Sequence, residues 1–77
     1  MGSNVENIYN VIGRNIKYYR KQKGWTQRVL SEKLLLSDSF IAKLESVTHQ
    51  TLSIDTLEQI ANVLEVPIEN FFESKEK

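Results

Sequence analysis

With 77 residues, no cysteine and a single histidine, the chain has room for one small core. It has no disulfide framework, no thiolate metal site and no His-rich metal cluster. Ten Lys/Arg balance ten Asp/Glu, and no stretch approaches the roughly 20 apolar residues that a membrane span requires.

The opening MGSNVEN lacks a basic-then-apolar leader, so the expected setting is cytoplasmic, with no membrane and no metal among the partners. The chain has no nucleophile–base pair, no glycine-rich phosphate loop and only one histidine to serve as a base near neutral pH. An enzyme is therefore not expected. The zero net charge conceals an asymmetry. Residues 1–43 hold eight basic groups (Arg14, Lys17, Arg20, Lys21, Lys23, Arg28, Lys33 and Lys43) against three acids, and residues 44–77 hold two lysines against seven acids. A dipolar domain of this kind can present a positive face to phosphate while staying neutral overall.

Residues 1–5 read as a flexible start. A first helix is expected from about Glu6 to Lys23, with Ile8, Ile12, Ile16 and Tyr19 recurring at helical spacing along the buried face. Gly13 falls inside that pattern, at a cost of about 1 kcal/mol against Ala. Gly24 suits the left-handed stop of the helix, and Trp25 reads as core. Arg14 and Lys17 are candidates for contact with nucleic-acid phosphate, as are Lys21 and Lys23.

The second helix is expected over about Gln27–Leu34. Thr26 is its N-cap, and Leu30 and Leu34 lie on one face. Thr26 and Gln27 sit where helix-terminal amides and a side-chain amide suit a phosphate oxygen, although a solvent-exposed Gln at a helix start also explains Gln27. Ser37 caps a third helix, about Asp38–Ser46, whose first turn places Asp38 where the helix dipole favours negative charge. Two or three residues between these helices force a steep crossing around one small core, with Ile41 and Leu44 turned inward. That is a helix-turn-helix, which presents its second helix to the DNA major groove.

On that helix Ser37, Asp38, Ser39 and Lys43 are the candidates for base contact. Lys43 can donate to guanine O6 and N7, and Ser39 can donate or accept. Asp38 can accept from cytosine N4, or it can act only as a cap. Phe40 reads as packing against the core edge rather than touching a thymine methyl. The loop SVTHQTL follows, and Ser46, Thr48, His49 and Gln50 are expected to border the DNA backbone. His49 reads as a surface or phosphate-adjacent group, not a ligand or a catalyst.

A fourth helix follows the Ser53 cap to about Glu65, with Ile54, Leu57, Ile60, Ala61 and Leu64 inward. Pro67 opens a short fifth helix, PIENFFESK, in which Ile68 and Phe71 cover the core. Phe72, with Val66, suggests a dimer patch, and covering the seam between the first and fourth helices is its other possible role. Residues 6–73 thus make one domain, with a charged tail at 74–77.

Thr26, Gln27, Leu30, Ser37, Ile41 and Glu45, at these spacings, resemble the DNA-binding domain of the Cro/cI-type (XRE-type) repressors. The resemblance reaches back to Arg20 and Gly24 and forward through Ile60–Phe72. It implies an all-α, compact five-helix, lambda-repressor-like domain. It also implies that Gln27 touches the DNA backbone and that Arg20 pairs with Glu45 as a structural ion pair. Leu35 departs from the pattern, because the family commonly has Gly there to allow a positive φ, and a branched residue in that conformation is strained by roughly 1 kcal/mol. Val47 and Thr51 depart too, where the family often has Gly and Pro. The function implied is a sequence-specific regulator of transcription that binds double-stranded DNA as a homodimer on a palindromic operator, without a cofactor. It would be of the phage-repressor or restriction-modification-controller kind. A competing reading is an antitoxin-like module that neutralises a partner protein through the acidic half.

Overall fold

The computed structural model describes residues 7–46 and 50–74. Among these residues four α-helices, α1 (Ile8–Gln22), α2 (Gln27–Leu34), α3 (Asp38–Glu45) and α4 (Ile54–Leu64), precede a 3-10 helix over Ile68–Phe72. The fold is therefore all-helical, as expected. The fifth element is not an α-helix, however. Pro67 caps it rather than opening it, and its Asn70 N–H bonds back to the Pro67 carbonyl at 3.0 Å. The α1 start is also later than expected, because the Asn7 side chain caps the helix by accepting from the Tyr9 N–H at 2.8 Å.

Each later α-helix begins on a hydroxyl cap. Thr26 accepts from Val29 N–H at 3.1 Å, Ser37 from Phe40 N–H at 3.0 Å, and Ser53 from Thr56 N–H at 3.1 Å. These bonds satisfy amides that a helix start otherwise leaves open. The ends of α1, α2 and α4 share one device as well. The N–H of a residue just past the helix, the third after α1 and the second after α2 and α4, returns to a carbonyl five residues back: Trp25 to Arg20, Leu36 to Ser31, and Val66 to Ala61. The residue immediately before it takes the left-handed conformation, with φ of 76° at Gly24, 59° at Leu35 and 62° at Glu65. This is a Schellman closure, and the apolar residue that follows the turn usually packs back on the helix. Trp25, Leu36 and Val66 all do so, half-buried against the core.

The core is Ile12, Ile16, Leu30, Leu34, Ile41, Leu44, Leu57, Ile60, Ala61, Leu64 and Phe71. Two residues expected in it are elsewhere. Ile8 is 44% exposed and Ile54 62% exposed, each the first residue of its helix, where the turn projects past the packed layer. Val11 is buried in α1 instead. Leu36 and Tyr19 are half-buried at the core edge, and so is Phe40.

Gly13 sets how closely α1 and α3 approach. A Cβ on it would lie 1.8 Å from the Leu44 carbonyl oxygen, so only hydrogen fits there. The position reads in sequence as a weak point of the helix, and in the structure it is where the two helices touch. Asn15, two residues further along α1, is buried and donates from Nδ2 to the carbonyls of Phe71 at 2.8 Å and Glu73 at 2.7 Å. It ties the last described segment to the first helix.

Candidate nucleic-acid interface

α3 is fixed from two sides. α1 supports it through the Gly13 contact and through Arg20, and α2 meets it across the Leu35 turn. Arg20 is 6% exposed and Glu45 8% exposed, so the charges lie largely out of water. Arg20 Nε donates to Glu45 Oε2 at 2.7 Å and its terminal nitrogen to Oε1 at 2.8 Å, a two-pronged pairing of guanidinium and carboxylate. The remaining guanidinium nitrogen donates to the Trp25 carbonyl at 2.7 Å. A buried pair of this kind adds little net stability over an apolar pair, yet removing one partner strands the other charge. Its geometric effect is to pin the C-terminal end of α3 to the C-terminal turn of α1.

Gln27 joins the same cluster. Its Nε2 donates to Glu45 Oε1 at 3.1 Å, which orients the amide at the first turn of α2. A primary amide carries a second hydrogen and a carbonyl oxygen, so this bond does not exhaust it. The exposed Thr26 hydroxyl is already a cap acceptor, and Ser37 is in the same position at α3.

Of the candidates for base contact, Ser37, Asp38, Ser39 and Lys43 are all exposed. Asp38 also has a partner within the protein, since the buried Ser31 hydroxyl donates to its Oδ1. Ser31 is not among the residues that the sequence motif points to. The signal for it is a polar residue seven positions before Asp38, on the α2 face that carries Leu30 and Leu34. Among the candidates for phosphate contact, Lys17, Thr26 and Ser46 are exposed, and Arg14, Gln27 and Gln50 are half-buried. Ser46 Oγ donates to the Lys43 carbonyl at 3.1 Å, and Gln50 Nε2 to the Thr51 carbonyl at 3.0 Å. Thr48 and His49 lie outside the described residues. Trp25 is flanked by two ammonium groups, Lys33 Nζ at 4.8 Å and Lys23 Nζ at 5.6 Å from its ring centre.

The two residues proposed for a dimer patch part company. Val66 is half-buried as the apolar residue of the α4 closure. Phe72 is 41% exposed, beside a fully buried Phe71. Lys23 Nζ meets Glu65 Oε1 at 2.5 Å, and this hydrogen bond and the ammonium charge lower the Glu65 carboxyl below its usual range. No group of three or more metal-ligating side chains forms among the described residues, and no described helix is long and apolar enough to cross a membrane.

Residues 16–71 match the family model described as Helix-turn-helix. The HTH-type transcriptional regulator SinR of Bacillus subtilis (strain 168) is 34% identical over 65 residues, covering 84% of this chain and 59% of SinR. SlrR of the same organism is 32% identical over 65 residues, covering 84% of this chain and 43% of SlrR. The chain thus spans less than two thirds of the length of these relatives. Among solved structures, SinR in complex with DNA superposes with a TM-score of 0.75 at 34% identity, covering 80% of this chain and 98% of that one. The restriction-modification controller protein C.Esp1396I superposes with a TM-score of 0.75 at 32% identity, covering 88% of this chain and 87% of that one. On the matched motif and on these relatives, the chain belongs to the Cro/cI-type (XRE-type) helix-turn-helix family of regulators.

Proposed function

We propose that the protein is a sequence-specific regulator of transcription that binds duplex DNA through α3, as a homodimer on a palindromic operator. The observation that carries this reading is the bracing of α3. The helix is held at its C-terminal end by the buried Arg20–Glu45 pair and near its start by Ser31, with Ser37, Asp38, Ser39 and Lys43 exposed along it. A reading helix must be rigid before its side chains can discriminate between base edges, because discrimination depends on hydrogen-bond geometry. The likeness to SinR, which has been solved with DNA, supports the same reading.

In this reading Lys43 and Ser39 supply base contacts, together with Asp38 and Ser37. Thr26, Gln27, Arg14 and Lys17 meet phosphates, as do Ser46, Thr48, His49 and Gln50. Phosphate contacts set register and supply most of the salt-dependent affinity, and the base contacts supply the sequence preference. Phe72 supports the dimer, which would place two α3 helices one DNA turn apart, about 34 Å.

The test is selection from a random duplex pool at near-physiological salt. A two-fold symmetric enriched site supports the whole proposal. Enrichment of a single unrepeated half-site removes the dimer, and salt-sensitive binding with no enriched sequence removes the specific regulator.

A second reading has one observation behind it. SinR has also been solved as a SinR/SinI protein complex, and this chain superposes on that structure with a TM-score of 0.76 while covering 63% of it. A protein-binding role of the antitoxin-like kind, through the acidic half, predicts a stoichiometric partner on co-purification with no DNA requirement.

A further inference from the structure

Ser31 is 1% exposed and lies in the middle of α2, in an apolar layer with Leu30 and Leu34. A buried hydroxyl must find partners, and this one has two oxygens within reach. One is the Arg28 carbonyl at 2.8 Å, in the turn before it, and the other is Asp38 Oδ1, across the turn on α3. A hydroxyl carries a single hydrogen. The carboxylate is the stronger acceptor because it is charged, so the hydrogen goes chiefly to Asp38.

Asp38 is the first residue of α3, next to the Ser37 cap. Its carboxylate is acceptor-only when ionised. With Oδ1 held by Ser31, the side chain cannot rotate freely, and Oδ2 becomes an acceptor of fixed direction at the start of the reading helix. In the major groove, guanine offers only acceptors, and thymine offers an acceptor and a methyl group. Cytosine and adenine each present an exocyclic amino group, N4 or N6. A pinned Oδ2 therefore accepts from an amino group and repels the oxygens of guanine and thymine.

We infer that Ser31, buried in α2 and touching no DNA, is a positioning residue that aims Asp38 at an amino-bearing base, cytosine or adenine, at one position of each half-site. This rests on the DNA-binding reading above. The residue it adds is buried and lies apart from the exposed polar side chains of α3. The two helices of the motif then share the readout, because α2 sets the direction of a side chain that α3 carries.

The experiment is site selection with the full chain, followed by competition binding to the selected duplex with each base at each position. It is run on the wild type, Asp38→Ala, Ser31→Ala and the double variant. Ser31→Ala removes one oxygen from a tight site and adds no bulk. Its thermal unfolding is measured alongside, and an unchanged melt shows that the fold is kept. In the wild type one half-site position favours cytosine or adenine by about tenfold, and Asp38→Ala abolishes that preference. Ser31→Ala reduces it to about threefold or less at the same position alone, and adds nothing to Asp38→Ala in the double variant.

The inference is overturned if Ser31→Ala leaves that preference within twofold of the wild type. It is equally overturned if Ser31→Ala weakens all positions alike, which is what a merely structural serine would do. Failure of the wild type to select any duplex removes the DNA-binding reading itself. A selected site with no position sensitive to Asp38→Ala keeps that reading and removes this inference.

Discussion

Replacing Gly13 with alanine sets two effects of opposite sign against each other. In the middle of a helix, Gly→Ala gains about 1 kcal/mol of backbone preference. The new methyl would, however, sit 1.8 Å from the Leu44 carbonyl oxygen and 3.0 Å from its carbon. Ordinary contact begins near 3.4 Å, so α1 and α3 would have to part by about 1.6 Å at this point. The obstacle is helix backbone and cannot rotate aside as a side-chain tip would. Overpacking of this kind costs about 1–3 kcal/mol, occasionally more. Parting the helices also lengthens the Arg20–Glu45 bonds, now at 2.7 and 2.8 Å, since Glu45 Cα lies only 3.6 Å from the same methyl. Weakening a buried ion pair adds on the order of 1 kcal/mol or more. The net expectation is a loss of about 1–3 kcal/mol, which lowers the midpoint of thermal unfolding by roughly 5–20 °C in a domain this small. Circular dichroism at 222 nm through a thermal ramp, with urea unfolding as a second measure, reads it directly. A variant as stable as the wild type, or more stable, would show that helix preference outweighs the contact and that the close approach is wrong.

Leu35→Gly should act in the opposite direction. Leu35 is 91% exposed with φ at 59°, so glycine forfeits little burial and relieves left-handed strain. The midpoint should rise by an amount equivalent to about 0.5–1 kcal/mol, and a fall would mean that the α2–α3 turn does not have this conformation. Glu45→Ala leaves Arg20 buried without its partner and should cost about 3–5 kcal/mol, whereas Arg20→Met combined with Glu45→Leu should recover most of that loss. If the double variant is no better than the single one, stranded charge is not the cause. The lowered Glu65 carboxyl gives a stability contribution that is complete above the ordinary carboxylate range and is lost as pH falls through the lowered value. Glu65→Gln should therefore flatten part of the acid limb of a stability–pH curve, and 1 M salt should do the same, because the group is exposed to solvent. An acid limb identical in Glu65→Gln and wild type would remove the pair from consideration. Phe72→Ser should leave thermal stability nearly unchanged at low protein concentration and shift sedimentation toward monomer, whereas Phe71→Ala should cost about 3–5 kcal/mol. Unchanged self-association in Phe72→Ser would remove that residue from the proposed dimer interface.

Much of the fold is legible in the sequence because it rests on local rules. Thr26, Ser37 and Ser53 each precede an apolar-periodic run, and each caps a helix. The bounds of α2 follow from Thr26 and from the spacing of Leu30 and Leu34. What escapes such reading depends on which backbone lies opposite. Gly13 looks like a defect until α3 is seen crossing it, and nothing local marks Asn15, whose partners are the Phe71 and Glu73 carbonyls far along the chain. Glu65 takes a positive φ with no glycine to announce it. The following Val66, like Leu36 after Leu35, is the apolar residue that marks the turn. Ile8 and Ile54 show the converse error. Periodicity continues to the first residue of a helix, whereas the packed layer stops one turn inside it.

The candidate site is legible in its residue types and illegible in its division of labour. Asp38 and Glu45, at the two ends of α3, are both acids in a motif expected to approach DNA, and phosphate repels both. The structure gives each of them an internal partner: Ser31 for Asp38, and Arg20 with Gln27 for Glu45. Glu45 is buried and its charge is met by a guanidinium, so it braces the helix and contributes little to the field outside it. Asp38 is exposed and its partner is a neutral hydroxyl, so its charge persists at the surface. A charge retained at the leading end of a reading helix weakens every duplex electrostatically and is compensated only where the base opposite is a donor. Asp38→Asn should therefore bind non-cognate DNA more tightly while losing discrimination at one position. That combination separates an acid that selects from an acid that merely caps, because loss of a cap would weaken cognate and non-cognate binding together through the fold.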